Sequence, residues 1–459
     1  MMPLGKGRLM VTDALVAFLE LFGRLRPAFT QPGFENALVV FVGWVLSNGS
    51  HAVTQALVAT DVARRRHHEA FHRFFSRGAW NPDDVGLLLF DRLLELIPDD
   101  AAIGVTIDDT LAAKKGPCVF GIGSHLDPVR STKAFRVFCF GHVWVTLAVN
   151  ISVPFSRRPW AVPVLFRLYR NKKECEAKGG AYRKKTELAR EMLDVLLKWA
   201  DERSIRLVMD SAYCNDTVLH DLPANVEVIG AMRPDAVLTA RPSKSRRAKR
   251  GGRPSVRGKV LPKPEALARS RRHEWQSCVA HIYGKTRTIY YKTICAQWYR
   301  VCGARLLRVV VVHVETGSIP IRVFFSTSPD LEIREILEAY ARRWAIEVCF
   351  RDLKQLLGFA DSSARKREAV ERTAPFVGYL YTTLVIWFTE RIYKTPIALP
   401  PIRPWYAHKD CLCFADILRA AQRVFEHLDV LDPARSLDNL HEPFMRRPSR
   451  RTPTRRKAA

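Results

Sequence analysis

The 459-residue chain has no C-x-x-C pair, no apolar run of membrane-spanning length, no internal repeat and far fewer acids than bases. Each absence narrows what the chain can be. Its ten cysteines are scattered from Cys118 to Cys413, and the two-residue step from Cys411 to Cys413 suits neither a zinc knuckle nor a redox motif. They are expected to be reduced thiols, mostly buried, and no structural zinc is indicated. The most apolar runs, Ala37–Leu46 and Ala374–Phe388, fall short of the roughly 20 residues a spanning helix needs, so no membrane partner is expected. Met1–Leu9 carries no basic region followed by an apolar stretch and a cleavage site, so a cytosolic protein is expected. Gly121-x-Gly123 and Gly251-Gly252 lack the strand-to-helix setting of a nucleotide loop, so no nucleotide cofactor is suggested. The shortage of acids is severe: 46 Asp plus Glu face 73 Lys plus Arg, leaving +27. An excess of that size points to a polyanionic partner, most commonly nucleic acid.

What is present reads as an α/β protein. Apolar residues recur at three- and four-residue spacing through Asp13–Leu25 and Gly86–Ile97, the pattern of amphipathic helices, with breaks at Asn48-Gly49-Ser50 and Asn81-Pro82-Asp83. From Ala101 short strands take over, followed by an amphipathic helix at Lys184–Ala200 and a buried strand at Ile205–Asp210. A mixed sheet is expected from this order. Arg241–Lys259 carries nine Lys or Arg and no acid, and reads as a basic loop. β-Branched and aromatic residues dominate Trp275–Ser326, predicting four to six strands. Leu331–Leu357 is predicted as one strong helix, with others over Arg372–Ile392 and Phe414–Phe425, ahead of a basic tail at Arg446–Lys457.

Three acids stand at informative places. Asp108 and Asp210 each end an apolar strand pattern, Val105–Asp108 and Ile205–Asp210, which would set a carboxylate at the sheet edge instead of in the core. Glu347 lies in the predicted helix. There Tyr340, Arg343, Glu347, Arg351 and Lys354 fall within a stripe about 80° wide at helical spacing, while Asp352 points away. One carboxylate flanked by three cations and a phenol suits a metal ligand beside phosphate clamps. Carboxylates are the ligands of magnesium, and two such ions roughly 3.5–4 Å apart would stabilise both oxygens of a phosphodiester displacement. The plainer readings are a turn former or helix N-cap for either Asp and a surface ion pair for Glu347.

The spacing Tyr340, two residues, Arg343, three residues, Glu347, six residues, Lys354 resembles the Y-(2)-R-(3)-E-(6)-K signature of bacterial insertion-sequence DDE transposases of the family-four group. Asp108-Asp109-Thr110 and Asp210-Ser211-Ala212-Tyr213 are similar to the words around that group's two aspartates, and the resemblance runs from about Ala101 to about Gly358. It implies an RNase H-like mixed-sheet core interrupted by a β-rich insertion, with a helical N-terminal domain and a helical C-terminal region. The corresponding divisions are 1–98 (helical, with a DNA-end-binding role), 99–235 (first part of the core), 236–328 (basic loop and insertion), 329–395 (the Glu347 helix and the next) and 396–459. It further implies that Asp108, Asp210 and Glu347 bind Mg²⁺, with Mn²⁺ substituting, and that Tyr340, Arg343 and Lys354 handle DNA phosphate. The expected activity is cutting at transposon ends and joining of the 3′-hydroxyl ends to target DNA. The expected setting is a bacterial, nucleoid-associated protein that is dimeric on double-stranded DNA. The motif selects Asp108, but Asp109 is adjacent and only one can face the site, because neighbouring strand residues point to opposite faces.

Further DNA contacts are expected from Arg351 and from Arg246, Arg247 and Arg250 of the basic loop. Trp275 and Trp298 could stack on an extruded base, although a strand Trp is more often core. His68-Glu69-Ala70-Phe71-His72 matches the zinc-protease pattern, but no third ligand follows and Arg64–Arg66 would repel a dication. Two rivals share the fold: a catalytically inactive or domesticated DNA-binding protein, and a nuclease that cuts without joining.

Overall fold

The structure is a computed structural model that describes residues 4–116, 118–242, 256–313, 321–359, 361–398 and 411–434. Arg246, Arg247, Arg250 and the tail at Arg446–Lys457 lie outside the described residues.

The chain begins with five helices, α1 (Leu4–Gly23), α2 (Gln31–Leu46), α3 (Val53–Ala59), α4 (Glu69–Ser76) and α5 (Pro82–Leu94). Asn81 caps α5 by accepting the Asp83 N–H at 3.0 Å, with Pro82 pre-set at the first helical position, so the predicted break is a helix start. Next come β1 (Ile103–Ala113), β2 (Gly123–Leu126), β3 (Phe138–Ile151), β4 (Trp160–Tyr169), α6 (Lys172–Lys178), α7 (Lys185–Ala200), β5 (Ile205–Met209), α8 (Asp216–Leu219) and β6 (Val226–Met232). The second half holds α9 (Pro264–Arg269), β7 (Gln276–Ile282), β8 (Lys285–Gln297), α10 (Tyr299–Cys302), β9 (Leu306–His313) and β10 (Ile321–Ser326). It closes with α11 (Ile333–Arg342), α12 (Ala345–Leu356), α13 (Arg367–Trp387) and α14 (Phe414–Phe425).

The described strands form one ten-stranded sheet in the order β2-β3-β1-β5-β6-β10-β9-β8-β7, with β4 also beside β3. β1 pairs in parallel with β5 and β5 with β6, whereas β1, β3 and β4 are antiparallel neighbours, so the expected mixed sheet is present. The four strands of the predicted insertion are not set apart from it. β10 pairs antiparallel with β6 (Phe324 opposite Ala231) and carries β9, β8 and β7 onto the same sheet. An unpaired edge of β6 would leave backbone donors and acceptors open, and β10 satisfies them.

The two most apolar runs become core helices. α2 is buried continuously from Ala37 to Val45 and α13 through most of its length, as expected of helices apolar on all sides. Among the described residues no helix is long and apolar enough to cross a membrane. The N-terminal helices are not a separate unit: the Phe18 ring of α1 lies 4.4 Å from the Phe425 ring of α14, and the Trp387 indole of α13 donates to the Ala14 carbonyl at 2.9 Å. Their apolar faces share the core under β3, β4 and β5.

Two local expectations are corrected. Asp108 does not end its strand. Parallel pairing with β5 stops at Ile107 opposite Met209, but antiparallel pairing with β3 continues from Asp108 opposite Thr146 to Ala113 opposite Gly141. Nor is Leu331–Leu357 one helix. It bends at Arg343-Trp344, where the N–H groups of Arg343, Trp344, Ile346 and Glu347 bond three residues back, a 3₁₀-like tightening without Pro or Gly. The two halves serve different apolar clusters. Ile336, Leu337 and Tyr340 of α11 pack with Val208, Ile229 and Phe324, whereas Ile346, Cys349, Phe350 and Leu353 of α12 enter the main core. The five-residue stripe is therefore divided by an elbow, and Arg343 stands at it.

Candidate active site

The register sets the site. Because β5 ends level with Ile107, Asp108 is the first β1 residue beyond its parallel neighbour, and Asp210 is the first residue beyond β5. The elbow between α11 and α12 brings Arg343 and Glu347 over them. The Arg343 guanidinium donates to Asp108 Oδ2 at 2.7 Å and to Glu347 Oε1 at 3.0 Å, so one side chain ties together two acids from distant segments of the chain. Asp210 Oδ1 accepts from the backbone N–H of Ala212 at 2.9 Å, a turn-forming role that leaves Oδ2 without a hydrogen bond from a described residue.

Electrostatics mark the same group. Burial pushes the Asp108 carboxyl up to about 7; Arg343 opposes that rise, and Asp210 adds to it. Burial also raises Glu347, again against Arg343 and with Asp210 adding. Burial works against the charge on Arg343, but Asp108, Tyr340, Glu347 and Asp210 together hold it above the ordinary arginine value. Asp210 thus lies within electrostatic reach of both other acids. Opposite Asp108 on β3, the buried Thr146 hydroxyl has no hydrogen-bond partner, a polar group that no sequence motif singles out.

Asp109 has a different role. Its Oδ2 accepts from Lys185 Nζ at 2.7 Å and its Oδ1 from the Tyr213 hydroxyl at 2.7 Å, on the strand face opposite Asp108. It anchors α7 and the segment after Asp210 to β1. Asp109→Asn is expected to lower stability by about 1–2 kcal/mol, read by denaturant titration; an unchanged midpoint would remove this anchoring role.

Of the remaining candidates, Tyr340 stays beside Arg343 and the others face other partners. Tyr340 is buried with its ring 4.6 Å from Phe324 and 5.7 Å from the Arg343 guanidinium, and burial raises its phenol. Lys354 is half-buried near Asp127, with its ammonium lowered by burial. Arg351 is exposed and pairs with the buried Asp352 at 2.8 Å. Trp298 packs edge-on to Phe325 at 5.6 Å, whereas Trp275 is 38% exposed and carries the Lys292 ammonium 4.7 Å from its ring. Far from the acids, Glu69 is held by Arg73 at 2.6 Å and His67 stacks on His68, which leaves the protease-like motif as a surface helix.

Two carboxylates, Asp108 and Glu347, meet one guanidinium with Asp210 within electrostatic reach, so the three acids carry two uncompensated negative charges when ionised. Oxygen donors with that charge deficit suit a divalent cation. Among the described residues no three His, Cys, Asp or Glu side chains form a ready metal cage, and here Arg343 fills the space between Asp108 and Glu347.

Residues 24–289, more than half of the chain, match the family described as DDE superfamily endonuclease. That segment contains Asp108 and Asp210; Glu347 follows it. Among solved structures, a cryo-EM structure of a piggyBac transposase synaptic complex with hairpin DNA aligns with a TM-score of 0.41 and 11% identity, covering 94% of this chain and 82% of that chain. No curated protein matches.

Proposed function

The chain belongs to the DDE superfamily endonucleases, and from that membership we propose that it is a transposase that cuts DNA at transposon ends and joins the 3′-hydroxyl ends to target DNA. The observation that carries the reading is the Arg343 bridge from Asp108 to Glu347 with Asp210 within electrostatic reach, three acids gathered from distant segments beside a charge of +27. The mixed sheet, with antiparallel β1, β3 and β4 and parallel β5 and β6, supports an RNase H-like core.

Asp108, Asp210 and Glu347 would hold Mg²⁺, with Mn²⁺ as a substitute. When bound, such ions supply activation of the attacking oxygen and charge stabilisation of the leaving one. The chain's own groups do the rest. Arg343, freed from its carboxylates, presents two parallel N–H donors to a phosphate, and Lys354 offers a point charge. The unpartnered Thr146 hydroxyl can donate to Asp108 and fix its orientation. The partners are the two DNA ends and the target, and pairing of two ends makes a dimer on DNA part of this proposal.

The test is incubation with Mg²⁺ and DNA carrying the ends that flank the gene. Cut and joined products support the reading, cut products alone identify a nuclease that does not join, and binding without cutting in Mg²⁺ and in Mn²⁺ refutes catalysis. A pH dependence follows as well. The Asp108 carboxyl is raised in the folded state to about 7, above its unfolded value of about 3.9, so its contribution to stability is complete at low pH and is lost as pH rises through 7. Mg²⁺ requires the ionised form. Its addition is expected to raise the melting temperature at pH 8 and to have little effect at pH 5. Equal shifts at both pH values would refute a ligand that titrates between them.

A further inference from the structure

Arg343 also lines an open groove of about 1340 Å³, walled by Ser156–Ala161 at the start of β4, the β7–β8 hairpin, the α11–α12 elbow and the start of α14. Small-molecule pockets span roughly 300–1,000 Å³, so the space suits a polymer. Seven arginines line it against two carboxylates, Glu338 and Asp352. Both carboxylates are already engaged, by Arg342 at 3.4 Å and Arg351 at 2.8 Å. The side chains of Arg157, Arg158, Arg287 and Arg322 have no hydrogen-bond or ion-pair partner among the described residues and are exposed. Between these cations stand aromatic rings that no core claims: Tyr283 is 57% exposed, Tyr290 49% and Trp344 48%. The Tyr283 and Trp344 rings meet edge to face at 6.3 Å, joining the hairpin tip to the elbow.

Unpaired cations interleaved with exposed rings are the chemistry of a single nucleic-acid strand. The backbone takes the arginines and unstacked bases take the rings, whereas bases in a duplex already stack on one another. We propose that this groove binds one separated DNA strand and leads it to Arg343. Arg157, Arg158 and Arg287 neutralise phosphates, and Tyr283 and Trp344 stack on bases. The assignment rests on the reading of the chain as a DNA-cutting enzyme and adds the path of a strand next to the cut. Arg343 couples the two regions, because the side chain that holds Asp108 and Glu347 also forms a wall of the groove.

The test is fluorescence anisotropy of the full chain in EDTA, where nothing is cut, with labelled oligothymidylate and a labelled blunt duplex over a range of salt. The triple variant Arg157→Ala/Arg158→Ala/Arg287→Ala is expected to bind oligothymidylate more weakly and to lower the log–log salt slope by about 2, near 0.7 per phosphate contact. Tyr283→Ala/Trp344→Ala is expected to weaken oligothymidylate binding roughly thirtyfold or more with the salt slope unchanged. Both should keep the parent melting temperature and lose less on the duplex. Unchanged oligothymidylate affinity in both variants would overturn the proposal, as would equal losses on strand and duplex. Cleavage in Mg²⁺ is scored separately. Cutting by the parent with no groove effect sinks only the strand path, and a groove effect without any cutting sinks only the catalytic reading.

Discussion

Glu347→Gln, Asp108→Asn and Asp210→Asn are each expected to lower DNA cleavage by roughly a thousandfold or more, with DNA binding retained. Each change removes one negative charge and one oxygen ligand while keeping the shape of the side chain. The stabilisation that a bound divalent ion gives the developing charge is worth several kcal/mol, and each step of about 1.4 kcal/mol is a factor of ten in rate. The variants should not behave alike in the absence of metal. Asp108 is buried and its ionisation is disfavoured, so Asp108→Asn relieves a cost at neutral pH and is expected to raise the metal-free melting temperature at pH 8. Burial raises Glu347 too, so Glu347→Gln is expected to raise it as well, but by less, because Glu347 is the more exposed of the two acids. Cleavage within tenfold of the parent in any of the three variants would remove that acid from the proposed set.

Trp387→Ala is expected to cost about 3–5 kcal/mol of stability, a large share of the roughly 5–15 kcal/mol typical of a folded domain. The indole is 1% exposed, its N–H donates to the Ala14 carbonyl, and its ring lies 6.4 Å from Phe18 and 6.1 Å from Phe425. Truncation opens a cavity where α1, α13 and α14 meet, and Phe18→Ala should open the same one. Because the two rings share a cavity, the double variant should lose less than the sum of the single losses. The melt should remain one transition. A separate early transition confined to Leu4–Leu94 would show that the N-terminal helices fold as a unit of their own. Trp344→Ala, at an exposed ring, serves as the control with an expected change below about 0.5 kcal/mol.

Much of the candidate site is legible in residue type and order alone. The spacing of Tyr340, Arg343, Glu347 and Lys354 and the two aspartates after apolar runs need nothing more. The structure gathers Asp108, Asp210, Arg343 and Glu347, keeps the buried Tyr340 ring beside Arg343, and sets Lys354 near Asp127. Trp275 and Trp298 are the aromatic candidates that a strand pattern brings forward, yet the exposed rings of the groove are Tyr283, Tyr290 and Trp344. Exposure depends on what packs against a ring, which a strand pattern does not specify.

By itself the sequence determined the charge excess, the helix and strand runs with their caps, the two apolar runs that could only be buried, and the acids available for chemistry. All of these follow from composition and periodicity, properties of a residue and its near neighbours. Only the tertiary structure decided between Asp108 and Asp109 as the residue facing Arg343, because the choice rests on which face of β1 meets the α11–α12 elbow and which meets Lys185 and Tyr213. It also decided that the helix over Leu331–Leu357 bends, since α11 and α12 answer to different apolar clusters. The joining of β10 to β6 and of α1 to α13 was decided there too. Periodicity tells which face of an element is apolar; which layer that face meets is settled by the pairing of segments hundreds of residues apart.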